Sequence, residues 1–111
     1  MKQETDQVEN VMILRLNGRF DSAQANGPKS WLEQATKSAP AQVVVNLEQV
    51  NFVDSTALAT LVQGMKRARQ QGGDLYLAQL QPPVRMVFEL TRLDKAFAIF
   101  PNEAEAVGAF A

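Results

Sequence analysis

Read for the alternation of apolar and polar positions, the chain divides into a hairpin followed by helices and strands in turn. Val11 to Leu16 places Met12, Leu14 and Leu16 on one face and Val11, Ile13 and Arg15 on the other, the period of a strand. The polar stretch before it, Gln3 to Val8, reads as an edge strand paired back through a tight turn at Glu9-Asn10. Gly18 is expected to end that hairpin. Asp21-Ser22 opens a polar connection to Asn26-Gly27-Pro28, where Pro28 suits the first helical position and Asn26 or Gly27 the cap. Trp31, Leu32 and Ala35 recur at helical spacing until Ser38-Ala39-Pro40 stops the helix.

The β-branched run Val43-Val44-Val45 predicts a strand covered on both faces. Past a break at Glu48-Gln49 the chain extends again from Val50 to Val53 and reaches Asp54. Leu58, Leu61, Val62, Met65 and Ala68 then follow the rhythm of an amphipathic helix, closed by Gly72-Gly73. Leu75 to Ala78 reads as a buried strand, and Pro82-Pro83 starts a helix with Val84, Val87 and Phe88 inward. Ala96 to Phe100 is expected as the last strand. Asn102, with Glu105 three residues on, makes a capping pattern for a terminal helix carrying Val107 and Phe110. The expected fold is α/β in one domain, 1–111. Its mixed sheet has about five strands, an antiparallel hairpin and then parallel strands, with about four helices.

Composition narrows the chemistry. With 46% hydrophobic residues, 111 positions suffice for a core, and a net charge of -1 gives no electrostatic case for nucleic acid or anionic lipid. No segment is apolar for long enough to span a bilayer, and the Met-Lys-Gln-Glu-Thr-Asp start lacks a signal-peptide core, so a cytoplasmic chain without membrane insertion is expected. Cysteine and histidine are both absent. Disulfides, thiolate chemistry, a Ser-His-Asp triad and imidazole metal sites are thereby excluded. Neither a Ser-Lys nor a carboxylate hydrolase spacing is present, and no enzyme, cofactor or metal is expected.

What remains is Asp54-Ser55-Thr56 at a helix start. Asp, Ser and Thr satisfy the unpaired N–H groups there, so the tripeptide is first a cap. The same position favours an anion, and a phosphate on Ser55 would add about -1.5 to -2 charge beside Asp54. Elsewhere, Lys66, Arg67 and Arg69 read as a solvated helix face and Trp31 as packing of the first helix. Met65 and Met86 read as core fillers, and Asp74, Glu89 and Asp94 as surface acids.

Phe52-Val53-Asp54-Ser55-Thr56-Ala57-Leu58 resembles the "F-[ILMV]-D-S-[ST]-G-[LI]" motif of the STAS domain in bacterial anti-sigma factor antagonists. Val43-Val44-Val45 before it, Gly72-Gly73 after it, the Phe88 to Leu93 tail and the upstream Asn17 to Asp21 segment (NGRFD) are similar to the family's parts, in the same order. The resemblance implies the STAS fold and a protein that binds an anti-sigma factor. It implies Ser55 as phosphoacceptor for a GHKL-type serine kinase that is also the anti-sigma factor, and a phosphatase that reverses the modification. The surface it assigns to the partner comprises Asp21, Asp54, Ser55, Thr56 and Ala57. Ala57 departs from the family's glycine, and Ser22 to Gly27 is longer than usual. Two other STAS roles stay open at this point: a regulatory subunit of an ABC-type lipid-transport complex, and a small-molecule sensor.

Overall fold

A computed structural model describes residues 1–111. The strands are β1 (Lys2–Val8), β2 (Val11–Phe20), β3 (Gln42–Val53), β4 (Asp74–Ala78) and β5 (Ile99–Phe100). The helices are α1 (Asn26–Ala35), α2 (Ser55–Gln70), α3 (Pro82–Leu90) and α4 (Glu103–Gly108). They build one five-stranded sheet in the order β1-β2-β3-β4-β5, with β1 antiparallel to β2 and every other pair parallel.

The sheet is covered on both faces, which is why its middle strands carry unbroken apolar runs. On one face Leu14, Leu16, Val43, Val45, Leu47, Leu75 and Leu77 meet Leu32 of α1, Leu61 and Met65 of α2, and Val84 and Phe88 of α3. On the other, Val11, Ile13, Val44 and Ala78 pack against Ala106 of α4. There Phe110 stacks on Tyr76 with ring centroids 4.1 Å apart. Arg15 ties the start of α4 down: its Nε and Nη2 donate to the Glu103 carboxylate at 2.6 and 3.0 Å. The same guanidinium reaches Glu4 and Asp6 on β1 at 2.9 and 3.3 Å, so one cation links the edge strand, the sheet and the terminal helix.

Several boundaries differ from those predicted. The hairpin pairing ends before Gly18 as expected, its last pair being Lys2 with Asn17, but β2 itself runs on to Phe20, and Phe20 pairs with Val53. Gly18 has φ +109°, open to glycine, and sits at a register shift that lets the strand kink and continue. The expected break at Glu48-Gln49 is likewise absorbed, because Asn17 pairs with Gln49 and Gly18 with Val50. The first helix starts at Asn26 with Ala25 in the cap position and no side-chain cap. Pro28 is then the third helical residue, tolerated because the first-turn N–H groups have no helical acceptors anyway. The last strand is only Ile99–Phe100. Ala96 and Phe97 are claimed by a 3₁₀ turn at Leu93–Lys95, both donating to the Leu93 carbonyl at 3.0 Å. Met86 is not core: it is 59% exposed on the outer side of α3, while Met65 is buried as expected.

Candidate functional site

The site forms where β2 and β3 end together. Val53 is buried, Asp54 remains extended, and α2 begins at Ser55. The Asp54 N–H donates to the Phe20 carbonyl at 3.3 Å, which fixes this end of β3 against the end of β2. The Asp54 carboxylate then uses both oxygens. Oδ1 accepts the Ala57 N–H at 2.9 Å, capping α2, and Oδ2 accepts the Ser22 N–H at 2.9 Å, holding the loop after β2 against the helix start. The Ala57 N–H, with lesser help from those of Ser22 and Thr56, keeps this carboxyl below the usual aspartate range, against some desolvation.

Asp21 lies in the loop that Asp54 holds. Its Oδ1 accepts the Ala23 N–H at 3.1 Å, a turn-forming bond, and its Oδ2 lies 3.5 Å from Arg19 Nε. The Arg19 guanidinium rests 3.9 Å above the Phe52 ring, so a cation–π pair across β2 and β3 supports the acidic loop. Sequence reasoning singled out Asp21 but missed this pair. The available signal was that Arg19 and Phe52 immediately precede the ends of two strands converging on one loop.

Ser55 and Thr56 are exposed on the first turn of α2. Of the three capping candidates only Asp54 caps, so the Ser55 hydroxyl is left outside the helix-start network. Thr56 is bonded through its carbonyl, which accepts from the Thr60 hydroxyl at 2.9 Å. Ala57 corrects the surface expected from the sequence. It is 0% exposed and packs in the main core, so only its N–H takes part in the site. Its methyl therefore points away from anything that approaches Ser55.

The three cations at the end of α2 do not form one patch. Arg69 turns to Asp74, at 3.0 Å, and to the Ala96 carbonyl, at 2.8 Å; Lys66 is exposed, and Arg67 is half-buried toward α1. Asp74 is thus paired, and Asp94, also expected at the surface, has its Oδ1 buried without a hydrogen-bond partner. No three acidic side chains converge in a metal-binding geometry, and no helix is long and apolar enough to cross a membrane.

Comparison with known proteins places this geometry in context. The model of the STAS domain family matches residues 2–106. The chain is 26% identical to the anti-sigma F factor antagonist of Paenibacillus polymyxa over 105 residues, 94% of this chain and 90% of that protein. It is 29% identical to BtrV of Bordetella bronchiseptica over 110 residues, 99% of this chain and 95% of that one. A solved STAS domain protein from Planctomyces limnophilus superposes with a TM-score of 0.89 at 22% identity, covering 97% of each chain.

Proposed function

The chain belongs to the STAS domain family, and from that premise we propose that it is an anti-sigma factor antagonist switched by phosphorylation of Ser55. The observation that carries the proposal is the exposed Ser55 hydroxyl beside an Asp54 carboxylate that is fully engaged by the Ala57 and Ser22 N–H groups. The relatives named anti-sigma factor antagonists support the partner class.

The physical logic follows from the two neighbours. Asp54 is fixed and ionised, so it supplies one negative charge that cannot swing away. With Ser55 unmodified, the adjoining surface offers a neutral hydroxyl that an anti-sigma factor can cover closely. A phosphate there adds about two negative charges against Asp54, and a partner fitted to the hydroxyl must desolvate and accommodate them. The chain itself keeps its fold, because a helix N-terminus tolerates an added anion and the cap is made by Asp54, not by Ser55. In this reading the protein is a substrate and binding partner in the cytoplasm and catalyses nothing. ATP is held by the GHKL-type kinase that is also the anti-sigma factor, and a phosphatase resets the switch.

The test is incubation with the host's anti-sigma kinases and ATP, followed by intact mass and site mapping. One phosphate on Ser55 of the wild type and none on Ser55→Ala is the expected result. Equal modification of the Ser55→Ala variant, or no modification by any of the kinases, refutes the switch at this residue.

A further inference from the structure

A cleft of about 280 Å³ runs between α1 and α2, beginning at Ser22 and Thr56 beside the Ser55 turn. On α2 its wall is Thr56, Thr60, Gln63 and Arg67, the i, i+4, i+7, i+11 positions that share one helix face. On α1 it is Asn26 and Lys29, over an apolar floor that includes Leu32. Two cations therefore face one cleft, and no acidic residue lines it. The net charge of the chain is -1, so this is a local reversal of sign.

Arg67 sharpens the reading. Only Arg15 and Arg67 among the six arginines are half-buried, the other four being exposed. Arg15 takes three carboxylates, from Glu4, Asp6 and Glu103, whereas Arg67 has no ion-pair partner. Glu33, one turn beyond Lys29, pairs with neither cation of the cleft. A partly desolvated guanidinium normally finds an anion, since burial without one is costly. Arg67 supplies a planar fork and Lys29 a point charge from the opposite helix, the combination suited to a phosphate. The remaining lining is hydroxyl, amide and methyl, which fits a short polar body.

We propose that the α1–α2 cleft binds a small phosphorylated metabolite, its phosphate held by Lys29 and Arg67 and its hydroxyls by Asn26, Gln63 and Thr56. The cleft lies just under the roughly 300 Å³ at which ligand pockets usually begin, so the ligand is of triose size and not a dinucleotide. Bound ligand shares Ser22 and Thr56 with any surface that covers Ser55, so the occupied cleft obstructs a partner docking there. That consequence rests on the Ser55 reading; the binding does not.

The experiment needs no kinase. Glycerol 3-phosphate is titrated into the isotopically labelled protein to about 10 mM, a range that detects millimolar affinity, with glycerol as the uncharged control. Saturable amide shifts centred on Lys29, Thr60, Gln63 and Arg67, absent with glycerol, are the expected result. Binding is also expected to be at least about tenfold weaker in a Lys29→Gln/Arg67→Gln variant that keeps the wild-type spectrum elsewhere. Inorganic phosphate shifting the same residues with lower affinity fits the same site. No saturable shift, shifts centred on Lys66 and Arg69 instead, or undiminished binding by the double variant overturns it. Such a failure leaves phosphorylation of Ser55 untouched, so the two readings fail separately.

Discussion

Asp54 Oδ2 accepts the Ser22 N–H at 2.9 Å, joining two loops that are 32 positions apart in the chain. The other oxygen of the same carboxylate caps α2, so one side chain sets both the start of the helix and the loop that frames Ser55. Asp54→Ala removes both bonds. Its expected cost is a Tm lower by about 5 °C, with Asp54→Asn in between because an amide oxygen still caps. Thermal melts of the three proteins check the order. A Tm for Asp54→Ala equal to the wild type means the carboxylate is not structural.

The pH dependence follows from the three lowered carboxyls. Hydrogen bonding from Ala57 N–H to Asp54, from Gln7 N–H to Asp6 and from Arg15 to Glu103 depresses each in the folded protein. A depressed carboxyl contributes stability that is fully present above its unfolded pKa, near 4, and is lost as pH falls through the folded value. Arg15 is raised by the same pairing with Glu103 and stays charged throughout the working range. Urea midpoints are therefore expected to be flat from pH 7 to about 5 and to fall below about 4. Glu103→Gln shallows that fall.

Arg15 holds α4 to the sheet through Glu103 while also pairing Glu4 and Asp6. Arg15→Gln takes the cation from Glu103, the one partly buried acid of the three, at a cost of about 1 kcal/mol. Hydrogen exchange in the α4 amides, Glu103 to Gly108, is expected to quicken more than in α2. Uniform protection across both helices would show that α4 is held by Ala106 and Phe110 alone.

The two glycines after α2 separate two reasons for glycine. Gly72 has φ +74° and open space around it, so Gly72→Ala costs about 1 kcal/mol of backbone strain. Gly73 lies against the backbone of Ala41, and a Cβ there would collide with its carbonyl oxygen. Gly73→Ala is expected to cost more than about 3 kcal/mol, because β3 and β4 have to separate at their start. Denaturant titration of both variants distinguishes them.

The order of elements, the double-sided core and the exposed serine at a helix start were legible because each rests on a local signal. The Val43-Val44-Val45 run announces burial on both faces, and Asp54 before an amphipathic segment announces a cap. What was not legible depends on neighbours distant in sequence. Gly18 looks like a strand end until β3 continues beside it and the bulge carries the pairing on to Phe20. Ala57 looks like part of the surface because it follows Ser55 by two, yet a 100° step per residue turns it into the core. The Phe97 region reads as strand by composition, but Phe97 is pulled edge-on against Phe88, with centroids 5.8 Å apart, after a 3₁₀ turn. Met86 is apolar and helical but lies off the face that Val84 and Phe88 define.

The central claim is that a phosphate on Ser55 lowers affinity for the anti-sigma factor. The direct measurement is a calorimetric titration of that factor with the chain unmodified and with the chain carrying phosphoserine at position 55. A Kd at least about tenfold weaker for the phosphorylated chain, with an unchanged fold by circular dichroism, is the predicted result. Equal or tighter binding by the phosphorylated chain contradicts the account.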